Sequence, residues 1–215
     1  MTTIQALIFD YDGVMTASAD RAQQYAAAAA ALGLTVEELY QRLWESEYWQ
    51  QVKRGQIHDS DFWRGMLPTF GLAADDWPTG PLAFLVQETL DPLMVGLVQR
   101  LRGRYQVALL SNATPAYETR WRNFGLYDLF DIIINSAAVG LAKPDPEIYH
   151  LTLQRLGRQP AECLFIDDKP RNTLAAEALG IASLVFTTPT ALEADLARMG
   201  ILDLIPHPSS LTPHP

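Results

Sequence analysis

A single cysteine, Cys163, stands in 215 residues, so no disulfide forms within the chain. A disulfide framework is excluded as a source of stability, and the composition suits a reducing compartment. Basic residues are also few: 16 Lys and Arg face 25 Asp and Glu, a net charge of −9. Without an overall basic footprint, nucleic acid is not an expected partner. No apolar run reaches the roughly 20 residues that span a bilayer. The N-terminus, MTTIQALIFD, lacks the basic start and long apolar stretch of a secretory signal. The sequence therefore reads as soluble and cytoplasmic, with no membrane partner. Its four histidines, His58, His150, His207 and His214, form no close pair of the kind that ligates zinc. The patterns of a serine-hydrolase elbow, a dinucleotide-binding turn and a P-loop are missing.

The composition suits a globular protein with a sizeable core: 48% of residues are hydrophobic and 19% charged. Five short runs, QALIFD, YQVALLSN, DIIIN, ECLFIDD and SLVFT, are rich in Val, Ile, Leu and Phe without polar alternation. That is the pattern of strands covered on both faces. Helical stretches separate the later runs. PAYETRWRNFG sets Tyr117, Trp121 and Phe124 at helical spacing, PEIYHLTLQRLG stops at Gly157, and PRNTLAAEALG stops at Gly180. Strand alternating with helix predicts an α/β fold with a Rossmann-like, doubly wound parallel sheet.

Residues 16–90 break this rhythm. An alanine run, Ala26 to Ala31, precedes helical segments around VEELYQRLWESEYWQQV and DSDFWRGML, and no strand is evident. This predicts a small α-helical cap inserted after the first strand, with 1–15 and 91–206 forming the core. Residues 207–215 form a proline-rich tail expected to be disordered. Trp44, Trp49, Trp63 and Trp77 fall in the insertion and are read as packing residues rather than ligand contacts. The apolar cap fits either a homodimer or a unit folding on itself.

Ligands of parallel sheets sit beyond the carboxyl ends of the strands. Taken strand by strand, the residues at those ends are Asp10 and Asp12, then Ser111 and Asn112, then Lys143, then Asp167 and Asp168. Four converging carboxylates repel strongly and are costly to desolvate, and Lys143 alone cannot offset them. A hard divalent cation bound by oxygen can, and magnesium, which keeps sites for water and phosphate oxygens, fits. A phosphate would sit between that metal, Lys143, the Ser111 hydroxyl and loop N–H groups, with Asn112 beside it. Such a site suits phosphoryl transfer to an aspartate, with a second carboxyl group handling the proton. Gly13 lets the chain turn after Asp12.

IFDYDGV, LLSN, the lysine of AKPDPEIY and FIDDKPRN resemble, in order, the four motifs of the haloacid dehalogenase superfamily. The resemblance implies a magnesium-dependent phosphatase acting on a small phosphorylated metabolite, a sugar phosphate among the candidates. Asp10 would be the nucleophile and a metal ligand. Asp12 would be the acid/base and would give its backbone carbonyl to the metal. Ser111, Asn112 and Lys143 would hold phosphate. Asp168 would be a direct metal ligand and Asp167 a direct or water-mediated one. The family's dehalogenases lack the acid two residues after the nucleophile; this chain has it. VKRGQIHDSDFW is similar to the cap of the subgroup containing glucose-1-phosphate phosphatase and the N-terminal phosphatase domain of epoxide hydrolase. A phosphomutase needs the same motifs, and a receiver-like phosphate sensor is the alternative from another class. Outside the motifs, Asn172 reads as a helix-surface residue, Asp145 as the cap of the following helix, and Arg54 as an exposed salt-bridge residue. Tyr11 has no evident role.

Overall fold

The structure is a computed structural model describing residues 3–16, 21–74, 80–86 and 88–203. Trp77 and the 207–215 tail, with His207 and His214, lie outside the described residues. Five strands form one parallel sheet: β1 (Ala6–Phe9), β2 (Gln106–Ser111), β3 (Ile132–Asn135), β4 (Cys163–Asp167) and β5 (Ala182–Val185). Their spatial order, β3-β2-β1-β4-β5, puts β1 in the middle. The chain winds outward through β2 and β3, then returns to the other side of β1 through β4 and β5. The switch point therefore lies at the carboxyl ends of β1 and β4, where open sheets of this kind bind ligands.

Apolar residues on alternate positions of β1 serve opposite faces. Leu7 and Phe9 join Leu109, Ile166 and Trp121 on one side; Ala6 and Ile8 join Leu110, Ile134 and Phe165 on the other. The three inner strands thus read as continuous apolar runs because both faces are covered. The edges differ. β5 is flanked on one side only, and Val185 at its end is exposed.

Four helices follow β1: α1 (Arg21–Ala31), α2 (Val36–Trp44), α3 (Glu47–Val52) and α4 (Asp59–Met66). Thr35 and Glu38 form a capping box that starts α2. Ser46 accepts from the Trp49 N–H and starts α3, so VEELYQRLWESEYWQQV is two helices rather than one. Tyr25, Leu39, Leu43, Val52, Phe62 and Met66 build a core separate from those of the sheet. The chain enters and leaves this unit side by side, with Thr16 bridged antiparallel to Leu90.

The remaining helices are α5 (Pro92–Leu101), α6 (Tyr117–Asn123), α7 (Leu126–Leu129), α8 (Ser136–Val139), α9 (Pro146–Leu156), α10 (Pro170–Glu177) and α11 (Pro189–Arg198). α9 ends at Gly157 in the left-handed conformation, as its sequence predicts. α10 ends at Glu177, short of the expected stop. Gly180, at φ +82°, closes the turn after it, in which the Ile181 N–H returns to the Ala176 carbonyl.

Candidate active site

The sheet order gathers Asp10, Ser111, Lys143, Asp167 and Asp168 at one edge. Asp10 follows the central strand, with Ser111 at the end of β2 on one side and Asp167 at the end of β4 on the other. Lys143 arrives from the loop between α8 and α9, fully buried, and its ammonium meets three acceptors. These are Asp10 Oδ1 at 2.8 Å, Asp167 Oδ2 at 2.6 Å and the Leu110 carbonyl at 2.9 Å. Burial works against its charge, but Asp10 and Asp167 hold its pKa above the ordinary lysine value.

The two buried carboxylates are not equivalent. Asp167 also accepts from the Lys169 N–H and from the Asn172 side-chain amide, which reaches both of its oxygens. Although burial opposes it, Lys143 with these donors depresses the Asp167 pKa and keeps the group anionic. Asp10 accepts from the Tyr11 N–H at 2.7 Å on the same Oδ1 that meets Lys143. Its Oδ2 is left without a donor among the described residues. Burial and the neighbouring Asp167 push the Asp10 pKa up to about 7.

Asp10, Asp167 and Asp168 can each present one oxygen within 4.8 Å of the others. Asp168 Oδ1 is buried and has no hydrogen-bond partner among the described residues. Burial raises its pKa. A buried carboxylate oxygen without a hydrogen bond, with Lys169 Nζ no closer than 3.9 Å and two more carboxylates beside it, is the donor set a hard divalent cation takes, so the residues fit magnesium. The close approach depends on Gly13: at φ +84°, a Cβ there would lie 2.7 Å from Asp168 Oδ2.

The Asp12 carboxylate stands apart from that trio. It pairs with Arg21 of α1, whose Nη2 donates to Oδ2 at 3.0 Å. Asn112 lines the cavity, but its side-chain amide is turned onto the Lys143 backbone rather than into open space. Ser111, almost wholly buried, lines the cavity floor beside Asp10.

Several residues differ from their sequence-based expectation. Asn172 is not on a helix surface; it is buried and hydrogen-bonded to Asp167. Its place near the start of the helix after the acidic pair was the available signal. Lys143 is not the sole cation: Lys169 sits close enough that Asp10, Asp168 and Asp12 raise its pKa against the opposing effect of burial. Asp145 occupies the N-cap position of α9 but makes no side-chain cap bond. It pairs with Arg54 at 2.7 Å, so that salt bridge joins the helical insertion to the sheet domain. Tyr11 does have a place. Its hydroxyl donates to Glu88 Oε2 at 3.1 Å, while Tyr117 donates to Glu88 Oε1 at 2.6 Å and Arg120 lies 3.2 Å from Oε2. Burial and Asp12 raise the Glu88 pKa. Trp44, Trp49 and Trp63 pack against the insertion's core, as expected, but they also line the cavity above the carboxylates.

That cavity has a volume of about 970 Å³ and runs from Asp10 and Asp168 up to the inserted helices. Three polar contacts join the inserted helices to the sheet domain. Besides Arg54–Asp145, Asp59 accepts from the Thr114 hydroxyl and, at 3.1 Å, from the Ala116 N–H. Gly55 lies directly against the Ala137 carbonyl.

Residues 4–180 match the family model of the haloacid dehalogenase-like hydrolases. The chain is 31% identical over 162 residues to a sesquiterpene phosphatase of Aspergillus oryzae, an alignment covering 72% of this chain and 80% of that protein. In fold it resembles a HAD-like family hydrolase from Porphyromonas gingivalis, with TM-score 0.72 and 21% identity over 92% of this chain and 98% of the other. It also resembles a HAD family enzyme from Bacteroides thetaiotaomicron, solved with magnesium and inorganic phosphate. There the TM-score is 0.66 and the identity 22%, over 86% of this chain and 94% of that one.

Proposed function

The chain belongs to the haloacid dehalogenase-like hydrolase family, and from that premise we propose that it is a magnesium-dependent phosphatase hydrolysing a small phosphate monoester through a phosphorylated Asp10. The observation that carries the reading is the position of Asp10. Its carboxylate shares Lys143 with Asp167 and lies within metal-ligating reach of Asp167 and Asp168, with one oxygen undonated and Asp12 two residues further on. The magnesium complex of the Bacteroides enzyme supports the choice of metal.

Asp10, Asp168 and Asp167 would hold the ion, which would supply charge neutralisation for the substrate phosphate. Lys143 and the Ser111 hydroxyl orient that phosphate over Asp10. Asp10 Oδ2 attacks phosphorus while the bond to the leaving oxygen breaks, and Asp12 gives that oxygen its proton. Asp12, now anionic, takes a proton from water. The resulting hydroxide attacks phosphorus, the bond to Asp10 breaks, and inorganic phosphate leaves. Arg21, whose Nη2 donates to Asp12 Oδ2 at 3.0 Å, holds the Asp12 side chain in position. Lys143 opposes the rise that burial and Asp167 impose on the Asp10 pKa, and so favours the ionised, nucleophilic form. The inserted helices act as a cap that excludes bulk water.

The test is phosphate release from a panel of sugar, nucleotide and amino-acid phosphates. Release should need magnesium, stop with EDTA, disappear in Asp10→Asn and fall sharply in Asp12→Asn. A stably phosphorylated Asp10 with no turnover would favour a receiver-like signalling role instead.

A further inference from the structure

A phosphatase needs polar groups only where phosphate sits; the rest of its cavity reports on the alcohol that carries the phosphate. Here the two ends differ sharply. The floor holds the carboxylates, Lys143, Lys169 and Ser111, whereas the walls contributed by the inserted helices include Tyr25, Tyr40, Trp44, Trp49, Phe62 and Trp63.

Several of the polar groups along those walls are already paired within the protein. Trp44 Nε1 donates to the Tyr25 hydroxyl at 2.7 Å, and Arg64 pairs with Asp61 at 3.0 Å. Asp59 is taken by Thr114 and Ala116, and Arg21 by Asp12. Among the described lining residues of the inserted helices, the Tyr40 and Ser60 hydroxyls and the Trp49 indole N–H are left without a hydrogen bond to the protein. A sugar in this space would lose water from several hydroxyls and find few replacements, and each unpaired buried hydroxyl is costly. An alkyl chain loses nothing comparable and gains from leaving water. The volume, about 970 Å³, is at the upper end for small-molecule pockets and exceeds what a phosphate alone requires.

We propose that the substrate is the monophosphate ester of an apolar alcohol, with the hydrocarbon lying against the Trp44, Trp49 and Trp63 side of the cavity and the phosphate on Asp10. This rests on the phosphatase reading and narrows its substrate to an amphipathic monoester, in place of a sugar phosphate. Specificity then comes from the inserted helices, and the chemistry from the sheet edge.

The experiment measures magnesium-dependent kcat/KM for butyl, hexyl, octyl and decyl phosphate, each below its micelle-forming concentration. Glucose 1-phosphate, glucose 6-phosphate and p-nitrophenyl phosphate complete the set. Burying a methylene corresponds to about a three- to fourfold gain, so kcat/KM should climb by about that factor per added methylene and place octyl phosphate well above both sugar phosphates. Trp44→Ala should flatten the climb. Because Trp44 also packs within the helical core, Val36→Glu provides a second probe at an exposed position lining the cavity, and it should penalise the long chains most. If p-nitrophenyl phosphate is hydrolysed but the alkyl series is flat, or the sugar phosphates are faster, the apolar assignment is overturned while the phosphatase stands. If no phosphate ester is hydrolysed, the phosphatase reading fails and this one with it.

Discussion

Asn112 grips Lys143 by its backbone at both ends. The Asn112 amide nitrogen donates to the Lys143 carbonyl at 2.8 Å, and its Oδ1 accepts the Lys143 N–H at 2.8 Å. The residue after β2 therefore sets the position of a lysine 31 residues later, whose ammonium then meets Asp10 and Asp167. Asn112→Ala removes both bonds but no charge. A misplacement of about 1 Å at a reacting group can cost on the order of 10²-fold. Phosphate release in this variant should fall by about that factor, through kcat rather than through protein yield. Undiminished kcat would show that the loop holds Lys143 without Asn112.

Lys143→Met keeps the length of the side chain and removes the cation between two buried carboxylates. Breaking a buried ion pair from one side costs about 3–5 kcal/mol, so the urea midpoint measured in EDTA should fall accordingly. Magnesium should restore part of the loss, because the cation binds the same carboxylates and only the folded protein presents them together. A midpoint equal to that of the parent protein would mean that Asp10 takes up a proton at no cost.

The parts of this site that were legible in the sequence are those announced by a polar residue interrupting an apolar run. Asp10, Ser111 and Asp167 all end strands, and strand order alone brings them together. Asn172 was only half legible: its place one turn after the acidic pair pointed towards Asp167, but an asparagine in a helix looks the same in sequence when it faces water. Nor was the role of Tyr11. Its partner Glu88 is 77 residues away, in the segment that returns from the inserted helices, and only the side-by-side passage at Thr16 and Leu90 brings the two together. The tryptophans of the insertion show a third kind of limit. Helical spacing identifies a buried side but does not reveal that part of it borders a cavity.

Lys53 gives a pH test away from the carboxylates. Burial, followed by the nearby positive charges of Arg54 and Arg171, lowers its pKa from 10.5 to about 8. Below pH 8 both folded and unfolded chains carry the proton, and the folded state bears the full cost of a buried ammonium. Between 8 and 10.5 the unfolded chain holds a proton that the folded one has released, so stability from this group rises with pH. Lys53→Met should therefore stabilise the protein at pH 7, by on the order of 2 kcal/mol. The advantage should shrink as pH passes through that window. Thermal melts of both proteins across the range provide the measurement, and a constant difference would show that Lys53 is not the titrating group.

Gly55 tests whether the seam between the inserted helices and the sheet domain matters to turnover. It has φ +65°, and a Cβ would lie 2.3 Å from the Ala137 carbonyl oxygen, so alanine cannot be accommodated without moving the two segments apart. Gly33 shares the left-handed backbone, at φ +67°, but a Cβ there meets nothing within 4 Å. Both alanine variants carry the conformational strain of about 1–2 kcal/mol; only Gly55→Ala opens the seam beside Arg54–Asp145. Gly33→Ala should lose some thermal stability and retain kcat/KM. Gly55→Ala should lose kcat/KM on the order of 10²-fold, as expected when the wall that orients the substrate is displaced by about 1 Å. Equal activity in the two variants would show that closure of this seam is not needed for turnover.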